Sequence, residues 1–176
     1  LDMAYQGFAD GIDADAVAVR AFSASGLQFF VSSSFSKSFS LYGERVGALS
    51  IVTAGKDESA RVLSQLKRVI RTNYSNPPIH GGALVAAVLA SPELRQMWET
   101  ELAGMRDRIR AMRTGLVDAI KAQGVAKDFS FVVQQRGMFS YTGLTAAQVE
   151  RMKDEFGIYA VSTGRICLAA LNTKNV

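Results

Sequence analysis

The segment SSSFSKSFSLYGERVG, residues 32–47, sets hydroxyls at Ser32, Ser33, Ser34, Ser36, Ser38 and Ser40 around one lysine, Lys37, with Arg45 eight residues further on. It begins where the apolar run FFVSSS (29–34) gives out. In open α/β sheets ligands bind outside the carboxyl ends of strands, so a strand-end loop of this composition lies where a site belongs. Desolvation and a neighbouring cation both favour the neutral form of a lysine, and a neutral amine attacks carbonyls. That is Schiff-base chemistry. A guanidinium meets a phosphate through paired hydrogen bonds, so Arg45 with a serine hydroxyl would hold a phosphorylated cofactor beside the lysine. The same composition also describes a solvated serine-rich turn carrying one lysine and one arginine.

Other chemistries find little support. One cysteine, Cys167, and one histidine, His80, cannot form a disulfide framework or an ordinary zinc site, and the expected metal content is none. Lone cysteine usage fits a reducing compartment and a cytoplasmic location. Lys and Arg number 20 against 16 acidic residues, a net charge of +4, but the basic residues are scattered, so nucleic acid is not implied. Hydrophobic residues make 48% of the chain, yet no apolar stretch approaches the roughly 20 residues that span a bilayer, and no membrane partner is expected. With 176 residues the chain is long enough for one domain or two small ones.

The elements that must position the loop can be read from periodicity. Apolar runs LDMAY (1–5), FFVSSS (29–34) and GALSIVTA (47–54) alternate with helical patterns, which predicts an α/β arrangement around a mixed sheet. Between the first two runs, Asp13 to Ser25 reads as a crossover helix stopped by Gly26. Val62, Leu63, Leu66, Val69 and Ile70 form one apolar helical face, ending near Arg71 before the loop NYSNPP. GGALVAAVLA (81–90) reads as a buried helix. Ser91 then caps, Pro92 takes the first helical position, and apolar residues recur from Leu94 to Ile120, a helix of about 46 Å. Such a helix outruns one core, which places a domain boundary near residue 92. The remainder reads as a small α+β unit, with strands around Phe129 to Val133, Met138 to Tyr141, Tyr159 and Ile166, and a helix from Thr145 to Phe156. The chain opens without Met in an apolar run and closes on ALNTKNV, so it is expected to be an internal piece of a longer protein.

At this point a resemblance enters. SFSKSFSLYGERVGA resembles the cofactor-lysine segment of fold-type I pyridoxal-phosphate aminotransferases, in the aspartate and aromatic amino acid branch of class I. DMAYQGF (2–8), VIRTNYSNPPIHG (69–81), RGMFSYTGL (136–144) and FGIYAVSTGRICLAALN (156–172) resemble the same branch in the same order, so the likeness covers essentially the whole chain. It implies the C-terminal portion of the large cofactor-binding domain over residues 1–91, and over 92–176 a small domain with its long connecting helix, lacking its final helix.

The resemblance also implies roles. Lys37 would form the internal aldimine with pyridoxal 5'-phosphate and, once displaced by substrate, act as the base. Asp2 would keep the pyridine nitrogen protonated, and Tyr5 would hydrogen-bond the ring oxygen. Strict strand alternation points positions 2 and 5 to opposite faces, so the strand is expected to end before Tyr5. Ser34 and Arg45 would hold the phosphate. Arg165 would clamp the substrate α-carboxylate, and Phe139 would wall the substrate site, though a core aromatic is an equal reading. Arg71 would reach across a homodimer interface, with Ser75 and Asn76 in the adjoining loop, to bind the distal carboxylate of a dicarboxylic substrate. As a plain cation at a helix C-terminus it needs no such task. His80, Cys167 and Trp98 are given no catalytic part.

A full chain of this branch is more than twice as long and supplies from upstream a phosphate loop, a ring-stacking aromatic and an asparagine, so this stretch alone is expected to be inactive. The implied reaction is ping-pong transamination between an amino acid and 2-oxoglutarate. SLYGERVGALS and RGMFSYTGLTAAQVERM look nearer to the aromatic members, with aspartate as the alternative substrate. A lyase or decarboxylase on the same fold fits the paired arginines less well. A non-catalytic dimerisation piece, with Lys37 merely structural, is the alternative of another class.

Overall fold

A computed structural model describes residues 1–176, which fall into two compact units: Leu1–Gly7 with Gly11–Leu102, and Phe8–Asp10 with Ala103–Val176. In the first, strands β1 (Asp2–Met3), β2 (Phe29–Ser34) and β3 (Gly47–Val52) form one sheet in the order β1-β2-β3. β1 runs parallel to β2, with Asp2 opposite Ser32, and β3 runs antiparallel, with Gly47 opposite Ser34. A mixed sheet is the sequence expectation, and the three apolar runs supply it. β1 is shorter than LDMAY because the Asp2 carboxylate accepts the Ala4 backbone N–H at 2.9 Å, turning the chain out of the sheet before Tyr5. Gly47 is required where it stands, since a Cβ there would lie 2.6 Å from the Ser33 carbonyl oxygen.

The crossover between β1 and β2 is a single 3-10 turn, Ala14–Ala16, running into helix α1 (Val17–Ala24). Asp15 ties the preceding loop, accepting from the Gly7 N–H at 2.7 Å and the Gly11 N–H at 3.3 Å. Helix α2 (Lys56–Asn73) starts with Asp57 and Glu58 in its first turn and ends with Arg71 in its last, each charge suited to the helix dipole. Its apolar face is not a core within this chain: Leu63 is 51% and Val69 61% exposed. Helix α3 (Ile79–Ala90) likewise buries Gly81 and Val85 but leaves Ile79, Leu84 and Leu89 exposed, so the expectation of a buried helix is corrected to a largely uncovered one. No helix of the chain is long and apolar enough to cross a membrane.

Helix α4 (Pro92–Ala122) begins as the sequence predicts, with the Ser91 hydroxyl accepting from the Leu94 N–H at 3.3 Å. Leu102 and Ile109 on its apolar stripe are almost fully buried.

The second unit carries α5 (Phe131–Gln134), β4 (Phe139–Tyr141), α6 (Ala146–Phe156) and β5 (Arg165–Cys167). β4 and β5 pair antiparallel, with Phe139 opposite Cys167 and Tyr141 opposite Arg165. Two expectations are corrected here. Phe129 to Val133 is no strand: Asp128 accepts from both the N–H and the hydroxyl of Ser130 at 2.8 Å, and this local turn starts the short helix that buries Val132. Tyr159 is no strand either, because the chain leaves α6 through left-handed Gly157 and Tyr159 stands 81% exposed. Helix α6 opens on a capping box between Thr145 and Gln148. Cys167 is half-buried.

Candidate active site

The lysine loop leaves the end of β2, beside the end of its parallel neighbour β1, and leads into antiparallel β3. β2 stops at Ser34, and residues 35–41 close into a turn through Phe39 N–H to the Phe35 carbonyl (3.2 Å), Ser40 N–H to the Lys37 carbonyl (3.1 Å) and Leu41 N–H to the Phe35 carbonyl (3.4 Å). Ser40 completes it with a left-handed φ of 56°, and Arg45 follows with 53°. Two non-glycine residues in that region around one lysine mark a backbone held against its own preference. Ser34 supports the turn, its hydroxyl oxygen accepting from the Ser36 N–H at 3.2 Å, and Ser36 is buried.

From this turn the Lys37 ammonium lies over the Tyr5 ring, 4.8 Å from its centroid. Asp2 stands three residues before Tyr5, in register with Ser32. The structure therefore gathers Asp2, Tyr5, Ser34 and Lys37 at neighbouring strand ends in the first unit. Arg45 belongs to the same unit, on the segment leading into β3, and its guanidinium donates to the Tyr42 carbonyl at 3.0 Å. Arg71 is also in this unit, exposed, donating to the Ser75 hydroxyl, with Ser75 at a φ of 72°. An amine, a carboxylate, a phenol, a hydroxyl and a guanidinium drawn from adjoining segments form a donor set suited to a phosphorylated aromatic aldehyde: amine to carbonyl, carboxylate to ring nitrogen, phenol to ring oxygen, hydroxyl and guanidinium to phosphate.

In the second unit the Arg165 guanidinium sits 4.9 Å from the centroid of the Phe139 ring. Gly164 delivers Arg165 to β5. Its φ is 82°, a Cβ on it would lie 2.7 Å from the Leu144 carbonyl oxygen, and its own carbonyl accepts from the N–H and hydroxyl of Thr142 at 3.0 and 2.8 Å.

Sequence reasoning missed Arg113. This arginine is 3% exposed and donates to the carbonyls of Val132 (2.9 Å), Gly137 (2.7 Å) and Phe139 (3.2 Å) and to the Ser140 hydroxyl. Burial, and then the Arg136 guanidinium, lower its pKa from the usual arginine value. The signal was its place four residues after Ile109, on the buried stripe of α4, where a charge cannot be a solvated surface residue. A cavity of about 240 Å³ next to it is lined by Arg110, Arg113 and Arg136, but Asp10 already pairs with Arg110 at 2.6 Å and Arg136 at 3.2 Å. A second cavity, about 260 Å³, lies beside the lysine turn between Ser34, Ser38, Phe39, Leu89 and Trp98.

The model of the family "Aminotransferase class I and II" matches residues 1–176, and the chain belongs to that family. It is 73% identical over 176 residues to the aspartate aminotransferase of Pseudomonas aeruginosa, and 52% identical over 176 residues to the aromatic-amino-acid aminotransferase of Escherichia coli. Both alignments take in 100% of this chain and 44% of the relative, so the chain spans less than half the length of the curated proteins it matches. Among solved structures, the aromatic-amino-acid aminotransferase of Burkholderia pseudomallei, described as covalently bound to pyridoxal phosphate, superposes with a TM-score of 0.98 at 75% identity, covering 99% of this chain and 44% of that one. The mixed α/β architecture is thus that of the pyridoxal-phosphate aminotransferases.

Proposed function

We propose that this chain provides the lysine-bearing part of a pyridoxal-phosphate-dependent aminotransferase acting on aromatic amino acids, with 2-oxoglutarate as the amino acceptor in a ping-pong cycle. The observation that carries the reading is the Lys37 amine over the Tyr5 ring at the joined ends of β1 and β2. Pyridoxal phosphate, when bound, supplies a carbonyl carbon for the lysine and a ring that accepts the electron pair left on the substrate Cα. The chain's own residues do the rest. Lys37 Nζ would hold the cofactor through its carbonyl carbon and would take and return the Cα proton. Asp2 holds a proton on the ring nitrogen, and Tyr5 donates its phenol to the ring oxygen. Ser34 can give its hydroxyl proton to a phosphate oxygen, since its oxygen already receives the Ser36 N–H, and Arg45 adds the positive charge.

Arg165, backed by the Phe139 ring, binds the substrate α-carboxylate in a paired contact. Arg71 serves the distal carboxylate across a homodimer interface. Because each site then needs upstream residues and a second subunit, the 176-residue chain on its own binds the cofactor weakly and does not turn over.

Aspartate is the second reading of the substrate, favoured by the 73% identity to an enzyme of that name. The ratio of kcat/KM for tyrosine or phenylalanine to that for aspartate, measured on the full-length enzyme, decides between them, because specificity is a ratio of transition-state affinities. Borohydride reduction of the full-length protein with its cofactor, followed by peptide mapping, tests the chemistry itself. The label is expected on Lys37, and a label elsewhere overturns the reading.

A further inference from the structure

We infer that Trp98 is a positioning residue for the reactive lysine, acting through the backbone of the Lys37 turn. The inference rests on the assignment of Lys37 as the cofactor lysine. Trp98 lies sixty residues from the turn, in the second turn of α4, inside the same compact unit. Its indole Nε1–H donates to the carbonyl of Ser38, the residue after Lys37, at 2.6 Å. The same ring stacks on Phe39, with centroids 4.4 Å apart and planes inclined by 22°. Phe39 in turn meets Phe35 edge-on at 5.4 Å. One side chain therefore grips two consecutive residues of the turn, one by a directional hydrogen bond and the other by a ring face.

A lysine amine sits at the end of four rotatable methylene bonds, so its placement over Tyr5 depends on a fixed backbone origin. The internal hydrogen bonds of residues 35–41 fix the shape of the turn but not its tilt against the body of the unit. Close packing does not fix that tilt from this side either, because the cavity of about 260 Å³ opens beside Ser38, Phe39 and Trp98. The indole, on the wall of that cavity, supplies the tie through its hydrogen bond to Ser38. Half-buried indole N–H groups need an acceptor, and Ser38 offers a carbonyl that has left the sheet ladder. A misplacement of about 1 Å at a reacting group can cost on the order of 100-fold in rate, so a tether of this kind has consequences for catalysis as well as for folding.

The test is Trp98→Phe in the full-length holoenzyme. Phenylalanine keeps a ring against Phe39 and loses the N–H. Borohydride labelling is done first on the unsubstituted enzyme; a label away from Lys37 removes the assignment on which the inference rests, whatever the variant does. With the label on Lys37, the variant is expected to lose about tenfold in kcat per bound cofactor while KM changes less than about twofold, and to show a weakened visible circular dichroism per bound cofactor. A lower melting temperature or lower cofactor occupancy, with kcat and dichroism per bound cofactor unchanged, overturns the inference and leaves Trp98 a packing residue. If the phenylalanine variant does not fold, a benzothienylalanine at position 98, which keeps the shape and lacks the N–H, is judged by the same two readouts.

Discussion

The Lys37 ammonium and the Tyr5 ring meet face-on at 4.8 Å although thirty-one residues separate them, because each lies just past the end of one of two parallel strands. Tyr5 is 40% exposed, and a cation over an exposed ring is worth about 0.5–1 kcal/mol. Two substitutions separate the ring from its hydroxyl. Tyr5→Phe keeps the face under the amine, so borohydride labelling of Lys37 is expected to persist while the proposed hydrogen bond from the phenol to the cofactor is lost. Tyr5→Ala loses both, and its cofactor dissociation constant is expected to exceed that of the phenylalanine variant by a further factor of about 2–5. Equal constants for the two variants would show that the ring face contributes nothing.

Arg113 holds the loop and strand that present Phe139, spending its guanidinium on three backbone carbonyls and one hydroxyl. Arg113→Met leaves those buried acceptors without donors and is expected to cost about 3 kcal/mol, read as a lower melting temperature of the full-length enzyme. Arg113→Lys, a point charge that cannot span acceptors on both sides of a planar fork, recovers little of this. Full recovery with lysine would mean that charge, and not the fork geometry, is what the site needs.

Arg113 also shows where sequence reading stops. Arg45 and Lys37 were legible as candidates because serines and cations cluster within one short segment, and β2 was legible because FFVSSS is bounded and apolar. Arg113 looked like any helical arginine, since its partners come from residues 132–140 and only the folded chain brings them near. The false strand at Phe129 to Val133 has the opposite cause: β-favouring residues there yield to the Asp128–Ser130 turn, a side-chain to backbone interaction that outweighs propensity. Helices α2 and α3 were legible as amphipathic or apolar segments, but periodicity says which face is apolar and not what lies against it. Trp98 falls within the apolar recurrence from Leu94 to Ile120, and its ring does pack; the hydrogen bond from its nitrogen was invisible to spacing.

The Asp128 turn has a pH signature. Hydrogen bonds from the Ser130 N–H and hydroxyl favour the carboxylate and hold the Asp128 pKa below its ordinary value. A depressed carboxyl stabilises the fold above its unfolded pKa, and that contribution is lost as pH falls through the folded pKa. Its loss therefore belongs to acid pH, below the usual aspartate range, and neutral pH is unaffected. Ser130→Ala removes the hydroxyl donor while keeping the backbone one, so the Asp128 titration followed by NMR is expected to move up toward, but not reach, the unperturbed value. No movement would mean that the backbone N–H alone sets the shift.

Gly164 and Gly157 make a matched pair for asking whether Arg165 is placed by its neighbour. Both have left-handed φ, 82° and 65°, so alanine at either is strained by about 1–2 kcal/mol. They differ in surroundings: a Cβ at Gly157 meets nothing within 4 Å, whereas at Gly164 it would press on the Leu144 carbonyl oxygen at 2.7 Å and push the segment that carries Arg165. Gly157→Ala is therefore expected to lower the melting temperature of the full-length enzyme without altering kinetics. Gly164→Ala is expected to lower it as well and, on the proposed role of Arg165, to raise KM for the amino acid roughly tenfold through a displaced guanidinium. Phe139→Leu, which removes the ring behind Arg165, should shift KM in the same direction by a smaller factor, about 2–5. If Gly157→Ala and Gly164→Ala raise KM alike, the effect comes from general loosening of the unit and Arg165 owes nothing to the glycine before it.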